Sequence, residues 1–205
     1  MNIVAKYLIV IFFAYLIGSS SMSYYLAKLN GVNIREKGSK NLGASNAMIL
    51  MGWKAGILVG IHDIGKAALA VILAKCFFPA SAYIGVVAGV AAVIGHIFPF
   101  YLRFKGGKGF ASFLGMALAV NWKCALVLMI VVVLVTLITD YIVVGTMTTI
   151  ISFPAYIGWE TRNYIIPLII LIASVIIIYK HRENLVRIYK GTEIGFRSAN
   201  RGEHR

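Results

Sequence analysis

Apolar runs recur along most of the chain, and their lengths predict membrane-spanning helices. They cover residues 3–16 with an extension past Gly18, 55–75, 83–102, 110–120, 125–139, 142–159 and 165–179. A helix needs about 20 apolar residues to cross about 30 Å of hydrocarbon. Several runs are shorter and would need their flanks or a thinned bilayer, 110–120 most of all. The pattern predicts an all-α integral membrane protein with about seven transmembrane helices.

The composition agrees with this pattern and excludes other classes. Hydrophobic residues make up 60% of the chain and charged residues 13%, and the mean hydropathy is +0.85. Soluble domains carry roughly 25% charged residues, so this chain has too little charge for a water-facing surface. A soluble domain, a coiled coil and a secreted disulfide scaffold are excluded. We expect one polytopic membrane domain over residues 1–205, with a basic cytoplasmic tail at 194–205.

The basic residues predict how the chain crosses the membrane. Lys and Arg number 20 against 7 acidic residues, which gives a net charge of +13. In a membrane protein such an excess indicates orientation, contact with anionic headgroups or an anionic substrate, rather than nucleic acid. Three segments are both polar and basic: 28–46, 103–108 and the tail from 180. If all three are cytoplasmic, one span precedes the first segment, two lie between the first and the second, and four lie between the second and the tail. This count places the N-terminus outside and the C-terminus inside.

The first basic segment is unusually rich in side chains that donate hydrogen bonds. Its donors are Arg35, Ser39, Asn41, Ser45 and Asn46. Such a set suits phosphate oxygens. Gly, Ser and Asn also build turns and helix caps, so ordinary loop chemistry is an equal alternative.

The second segment combines glycines with lysines directly before an apolar helix. Residues 105–109 read Lys-Gly-Gly-Lys-Gly. Glycines allow the backbone to approach a ligand closely, and a helix N-terminus favours an anion. The spacing is not that of a Walker A loop, because Leu102 stands where that pattern needs Gly and Gly109 follows the lysine. The alternative is a flexible cytoplasmic loop with lysines that only set the topology.

The third segment and the apolar runs contain further polar candidates. His181 and Asn184 are three residues apart, so a helix would place them on one face, although a plain amphipathic surface helix also fits. Asp63 and Lys66 are predicted to pair across one helical turn inside the membrane. Asp140 is interpreted as a cap in a tight turn rather than as a catalyst.

These three segments, in this order, resemble the motifs of the bacterial PlsY family of acyl-phosphate:glycerol-3-phosphate acyltransferases. The first motif is similar to residues 35–46, the second to 95–112 and the third to 181–193. Ser45 stands where the family more often has Thr, which keeps the hydroxyl. The similarity extends over nearly the whole chain.

The resemblance implies transfer of a fatty acyl group from acyl phosphate to the 1-hydroxyl of glycerol 3-phosphate, without a cofactor or metal. It implies a bacterial inner-membrane enzyme with a cytoplasmic active site. The implied catalytic residues are Arg35, Ser39, His181 and Asn184. The implied substrate-binding residues are Asn41, Ser45, Asn46, His96, Gly106, Gly107 and Gly109, to which charge adds Lys105 and Lys108. Glu193 is expected to be structural.

The expected partners are glycerol 3-phosphate, fatty acyl phosphate, the lipid bilayer and the enzyme that produces the acyl phosphate. Either His181 or a substrate phosphate could accept the hydroxyl proton. The His-x4-Asp pattern of acyl-CoA-dependent acyltransferases does not occur at His62, His96 or His181. An organophosphate or anion transporter is the alternative function, but it would need polar residues on both sides of the membrane and at its midplane.

Overall fold

The computed structural model describes residues 2–197, and all regular elements in that range are helical. A short 3₁₀ helix, Phe100–Leu102, lies between the fifth and sixth α-helices. The α-helices are α1 Ile3–Ser19, α2 Met22–Leu29, α3 Ala44–Met51, α4 Trp53–Phe77, α5 Ile84–Ile97, α6 Phe110–Val120, α7 Trp122–Thr139, α8 Ile142–Thr161 and α9 Ile165–Tyr189. The prediction of an all-α membrane protein is confirmed.

Six helical segments of the described chain are long and apolar enough to cross a membrane. The first of them joins α1 and α2 into Ile3–Leu29, and the other five contain α4, α5, α7, α8 and α9. Helix α6 is apolar but shorter, Phe110–Val120. At 1.5 Å per residue it is about 16 Å long, roughly half the hydrocarbon thickness. Seven crossings and the orientation of the termini therefore stay predictions.

Large apolar side chains cover the outer faces of the long helices. Ile138 is 79% exposed, Leu168 62% and Ile3 64%. In water such a surface would be a strong aggregation hazard. Hydrocarbon removes that cost, so these faces are lipid-facing and the protein lies in a membrane.

The chain forms two compact units, one up to Val120 and one from Asn121. In the first unit, α1 packs against α5, and α4 packs against α5 and α6. The contact between α1 and α5 is one of backbone against backbone. A Cβ at Gly18 would overlap the main-chain carbonyl of Ala92. Small residues permit this close approach between helices in a membrane, where apolar burial drives association only weakly.

Two polar loops of the first unit carry the first and second motifs. The first, residues 30–43, connects α2 to α3, and the second, residues 103–109, connects the 3₁₀ helix to α6. The helix is interrupted between α1 and α2. There the hydroxyl of Ser21 accepts a hydrogen bond from the backbone N–H of Tyr24 and caps α2. This break leaves the carbonyl of Ser20 available to other donors.

In the second unit, α7 and α8 form a helical hairpin that turns at Asp140. The φ angle of Asp140 is 69°, in the left-handed region where helices often end. Its carboxylate accepts a hydrogen bond from the backbone N–H of Arg197 at 2.8 Å. The interpretation of Asp140 as a structural turn residue fits this geometry. Of the predicted tail, residues 198–205 lie outside the described part of the chain.

Candidate active site

The first polar loop is organised around the side chain of Asn46. Asn46 is 1% exposed. Its Nδ2 donates to the carbonyls of Ile34, Asn41 and Lys37 at 3.1, 3.0 and 3.3 Å. Its Oδ1 accepts a hydrogen bond from the N–H of Ser39 at 2.9 Å. Both the nitrogen and the oxygen of the Asn46 amide therefore bond to the loop backbone. These bonds shape the loop around the residues that are predicted to bind substrate.

The two serines of the first motif, one in this loop and one in the first turn of α3, lie at the surface. Ser39 and Ser45 are exposed, and Asn41 is half-buried. Helix α3 begins at Ala44, and its N-cap Gly43 contributes no side-chain hydrogen bond. The first N–H groups of α3 thus have no side-chain cap, and such an end attracts anions. The loop therefore offers hydroxyls and helix N–H groups together.

Arg35 joins the first loop to the second. Its Nη2 donates to the carbonyl of Leu102 at 2.7 Å and to that of Lys105 at 3.1 Å. Its Nε is buried and has no partner among the described residues. The guanidinium thus clamps the backbone of the second motif, and the catalytic role that the resemblance implies for Arg35 stays a prediction.

The second loop lies tightly on the end of α5. The N–H of Gly106 donates to the carbonyl of Ile97 at 3.0 Å, and the N–H of Gly107 donates to that of His96 at 3.2 Å. A Cβ at Gly106 would overlap the carbonyl oxygen of His96, and a Cβ at Gly107 would overlap its imidazole Nε2. The two glycines are thus required by close packing on His96. The sequence suggested a different reason, close approach to a ligand.

The remaining residues of the second loop lead into α6. Lys105 is exposed, Lys108 is half-buried and Gly109 is buried. Gly109 immediately precedes Phe110–Val120. Two lysines therefore shortly precede the start of a helix in the chain, an arrangement that favours phosphate.

A buried charge cluster lies behind this loop. Lys66 Nζ is 2.8 Å from Asp63 Oδ1, which confirms the pair predicted from their spacing. The same Nζ contacts Nδ1 of His96 at 2.9 Å and donates to the carbonyl of Ser20 at 2.6 Å. The spacing of the pair does not reveal its contact with His96, a residue of the second motif. The available signal was the presence of two ionisable residues in an apolar run.

In the second unit, His181 lies near the C-terminal end of α9 and is 6% exposed. Its Nδ1 lies 2.9 Å from the carbonyl oxygen of Ile177. A carbonyl only accepts hydrogen bonds, so Nδ1 carries the proton in the neutral ring. Nε2 then has the lone pair, as a proton acceptor needs.

Glu193 fixes the amide of Asn184. Asn184 Nδ2 donates to Glu193 Oε1, and Arg187 Nε donates to Glu193 Oε2, both at 2.6 Å. The carboxylate of Glu193 thus holds the side chains of two residues of α9, Asn184 and Arg187. This geometry fits the structural role expected for Glu193 and leaves Asn184 in a defined orientation.

Each unit therefore brings together part of the predicted set. The first unit joins the first loop to the second through Arg35 and places His96 against the glycines. The second unit places Asn184 beside Glu193, three residues from His181 on the same helix.

Comparison with known proteins identifies the family. The family model described as glycerol-3-phosphate acyltransferase matches residues 8–191. A glycerol-3-phosphate acyltransferase of Oceanobacillus iheyensis is 40% identical, with 89% of this chain and 91% of the relative covered. That of Aquifex aeolicus is 35% identical, with 93% and 100% covered.

Solved structures give the same answer. A crystal structure of PlsY, an integral membrane glycerol 3-phosphate acyltransferase, in its glycerol 3-phosphate form is similar with a TM-score of 0.89 and 32% identity, covering 97% of this chain and 99% of that one. Its lysophosphatidic acid form gives a TM-score of 0.84 and 33% identity, covering 92% and 94%. The chain belongs to the glycerol-3-phosphate acyltransferase family.

Proposed function

We propose that this protein transfers a fatty acyl group from acyl phosphate to the 1-hydroxyl of glycerol 3-phosphate, forming lysophosphatidic acid and inorganic phosphate. The observation that carries the proposal is the clamp of Arg35 on the backbone of Leu102 and Lys105. It joins the hydroxyl-rich loop to the lysine- and glycine-rich loop. Two anion-binding loops in one place suit a reaction whose two substrates both carry phosphate. Similarity to PlsY in its glycerol 3-phosphate form supports the same acceptor.

The residues divide into ligands and residues that position them. We assign phosphate binding to Lys105, Lys108 and the N–H groups around Gly109, because charge and a helix start coincide there. Ser39 and Ser45 supply exposed hydroxyl donors. The loop-building residues are Asn46 and Arg35, whose hydrogen bonds go to the main chain. Asn41 remains assigned to substrate, and Glu193 holds Asn184.

The chemistry is nucleophilic acyl transfer. The 1-hydroxyl oxygen attacks the acyl carbonyl carbon, the bond from that carbon to the phosphate oxygen breaks, and inorganic phosphate leaves with the bonding electrons. His181 Nε2 accepts the hydroxyl proton as general base, which agrees with a protonated Nδ1 bonded to Ile177. Asn184 is assigned to polarise the reacting carbonyl or hold the acceptor. An acyl phosphate is an activated mixed anhydride, so the proposed step uses no cofactor or metal.

We also propose where the reaction occurs. The basic excess on three polar segments supports a cytoplasmic location of all three in a bacterial inner membrane. There the acyl chain can stay in the bilayer while water-soluble glycerol 3-phosphate arrives from the cytoplasm. An enzyme that produces acyl phosphate would be the upstream partner.

One assay tests the function and separates it from transport. Purified protein in proteoliposomes receives palmitoyl phosphate and labelled glycerol 3-phosphate, and lysophosphatidic acid and phosphate are quantified. We expect both products in equal amounts. Accumulation of unmodified label inside the vesicles, without lysophosphatidic acid, would instead support the organophosphate transporter.

A further inference from the structure

We propose that Lys66 and Asp63 are positioning residues that hold His96 in the tautomer with its proton on Nε2. In that form His96 donates a hydrogen bond to an anionic oxygen of substrate at the second loop. The inference rests on the proposed function for the identity of the ligand. The tautomer itself is a property of the protein alone, so it can be tested separately.

The first observation is the environment of the Lys66 ammonium. Nζ has three partners at hydrogen-bond distance: the carbonyl of Ser20 at 2.6 Å, Asp63 Oδ1 at 2.8 Å and His96 Nδ1 at 2.9 Å. An ammonium group has three N–H donors and no acceptor. The Ser20 carbonyl and the Asp63 carboxylate can only accept. All three bonds are satisfied together if Nδ1 also accepts.

The second observation concerns competition for His96. Asp63 Oδ1 lies 3.4 Å from His96 Nδ1, farther than Lys66 Nζ, and could accept only from a protonated Nδ1. The contact of Nδ1 with the Lys66 ammonium is shorter, and an ammonium only donates hydrogen bonds. Nδ1 therefore accepts from Lys66 and carries no proton. With Nδ1 unprotonated, the neutral ring carries its hydrogen on Nε2. The role of Asp63 is to keep Lys66 charged and in place inside the membrane.

The third observation is the position of Nε2. Nε2 occupies the place where a side chain at position 107 would begin, because a Cβ at Gly107 would overlap it. Among the described residues, no protein group accepts a hydrogen bond from Nε2. His96 is 7% exposed, so a donor on its ring is largely desolvated and correspondingly strong. A substrate phosphate or acyl oxygen at the second loop would be its acceptor.

A purely structural ion pair makes a different prediction. Lys66 and Asp63 would then stabilise the packing of α4, and the His96 tautomer would not depend on them. The distinguishing readout is therefore the protonation of the two ring nitrogens of His96. The chain has four histidines, so one His96→Gln variant suffices to assign its signals.

The experiment uses nitrogen-15 histidine labelling of the full-length protein in detergent micelles, with no substrate added. We expect the Nδ1 signal of His96 to be that of an unprotonated nitrogen and Nε2 that of a protonated one. The test variant is Asp63→Asn with Lys66→Met, which removes both charges and leaves no unpaired ion. Lys75→Met is the matched control, because Lys75 lies on the same helix but donates to the carbonyl of Ala119.

In the double variant we expect a mixture of His96 tautomers. We also expect kcat/KM for glycerol 3-phosphate to fall by about tenfold or more, as for loss of a hydrogen bond to a charged group. Lys75→Met should change neither. A protonated Nδ1 in the wild type overturns the proposal, and so does a double variant that keeps both the tautomer and kcat/KM. If the wild type shows the expected tautomer but makes no lysophosphatidic acid, the proposed function fails instead.

Discussion

Arg35 Nη2 donates a 2.7 Å hydrogen bond to the carbonyl oxygen of Leu102, which lies 67 residues further along the chain. Together with the hydrogen bond from the same nitrogen to the carbonyl of Lys105, this contact connects the first polar loop to the second. Both hydrogen bonds of the Arg35 side chain to the backbone, to Leu102 and to Lys105, come from Nη2, whose two N–H groups are held in the rigid plane of the guanidinium, whereas a lysine ammonium rotates freely on a flexible stem.

Arg35→Ala should therefore disorganise the second loop. Each lost charge-assisted hydrogen bond is worth about 1.5–3 kcal/mol, at the lower end here because Arg35 is partly exposed. We expect a lower melting temperature and a raised KM for glycerol 3-phosphate. Arg35→Lys should restore only part of the loss. Wild-type melting and kinetics in Arg35→Ala would show that the clamp is dispensable.

Substitution of the loop glycines should give graded effects. The Cβ of Gly106→Ala would meet the main-chain carbonyl of His96, whereas that of Gly107→Ala would meet only its side chain, which can shift without moving the backbone of α5. Both variants should raise KM for glycerol 3-phosphate, and Gly106→Ala should do so more strongly. Gly65→Ala is the control, since nothing lies within 4 Å of a Cβ there. Equal or reversed effects would argue against packing on His96 as the cause.

The role of His181 can be separated from substrate-assisted proton transfer. General-base catalysis contributes about 10²–10⁴-fold, so His181→Ala should lower kcat by that factor. His181→Asn and His181→Gln keep hydrogen-bonding ability but cannot usefully accept a proton at neutral pH. If His181 is the base, the amide variants should be as inactive as Ala. Substantial kcat in either amide variant would favour a substrate phosphate as the acceptor.

Donor selectivity follows from the size of the polar segments. Acyl phosphate presents a small dianionic head, whereas acyl-CoA adds an adenine, a ribose phosphate and a long pantetheine arm. The polar segments of this chain are short. We expect turnover with acyl phosphate, none with acyl-CoA or acyl carrier protein, and no effect of a chelator. The check is a side-by-side rate with each donor. Efficient use of acyl-CoA, or inhibition by the chelator, would contradict the proposed donor chemistry.

The predicted topology can be tested by cysteine labelling. In a background without Cys76 and Cys124, single cysteines replacing Lys37, Lys105 and Lys190 should react only from the cytoplasmic face. Replacing Asn163 should allow labelling from the opposite face, as a control. Reaction of any of the first three from outside would contradict the assignment of three cytoplasmic segments.

Local patterns were enough to predict part of the site. The pairing of Asp63 with Lys66 followed from their spacing of three, which any helix converts into proximity. The placement of His181 and Asn184 on one helix also followed from local spacing. By contrast, the donor-rich pattern predicts that Asn46 binds phosphate, whereas its side-chain amide donates to carbonyls of the loop that precedes α3. Composition shows that an Asn can donate, but it does not show to what.

By itself, then, the sequence determined the membrane location, the all-helical class and the identity of the three polar segments. Each of these depends on hydropathy, period or charge within one stretch of chain. Only the tertiary structure decided that Arg35 binds Leu102 and that Lys66 contacts His96, 30 residues away. Such contacts depend on how helices pack and where loops cross, and no local pattern encodes them. The same reason explains Gly107 of the second loop, whose missing side chain makes room for His96 of α5.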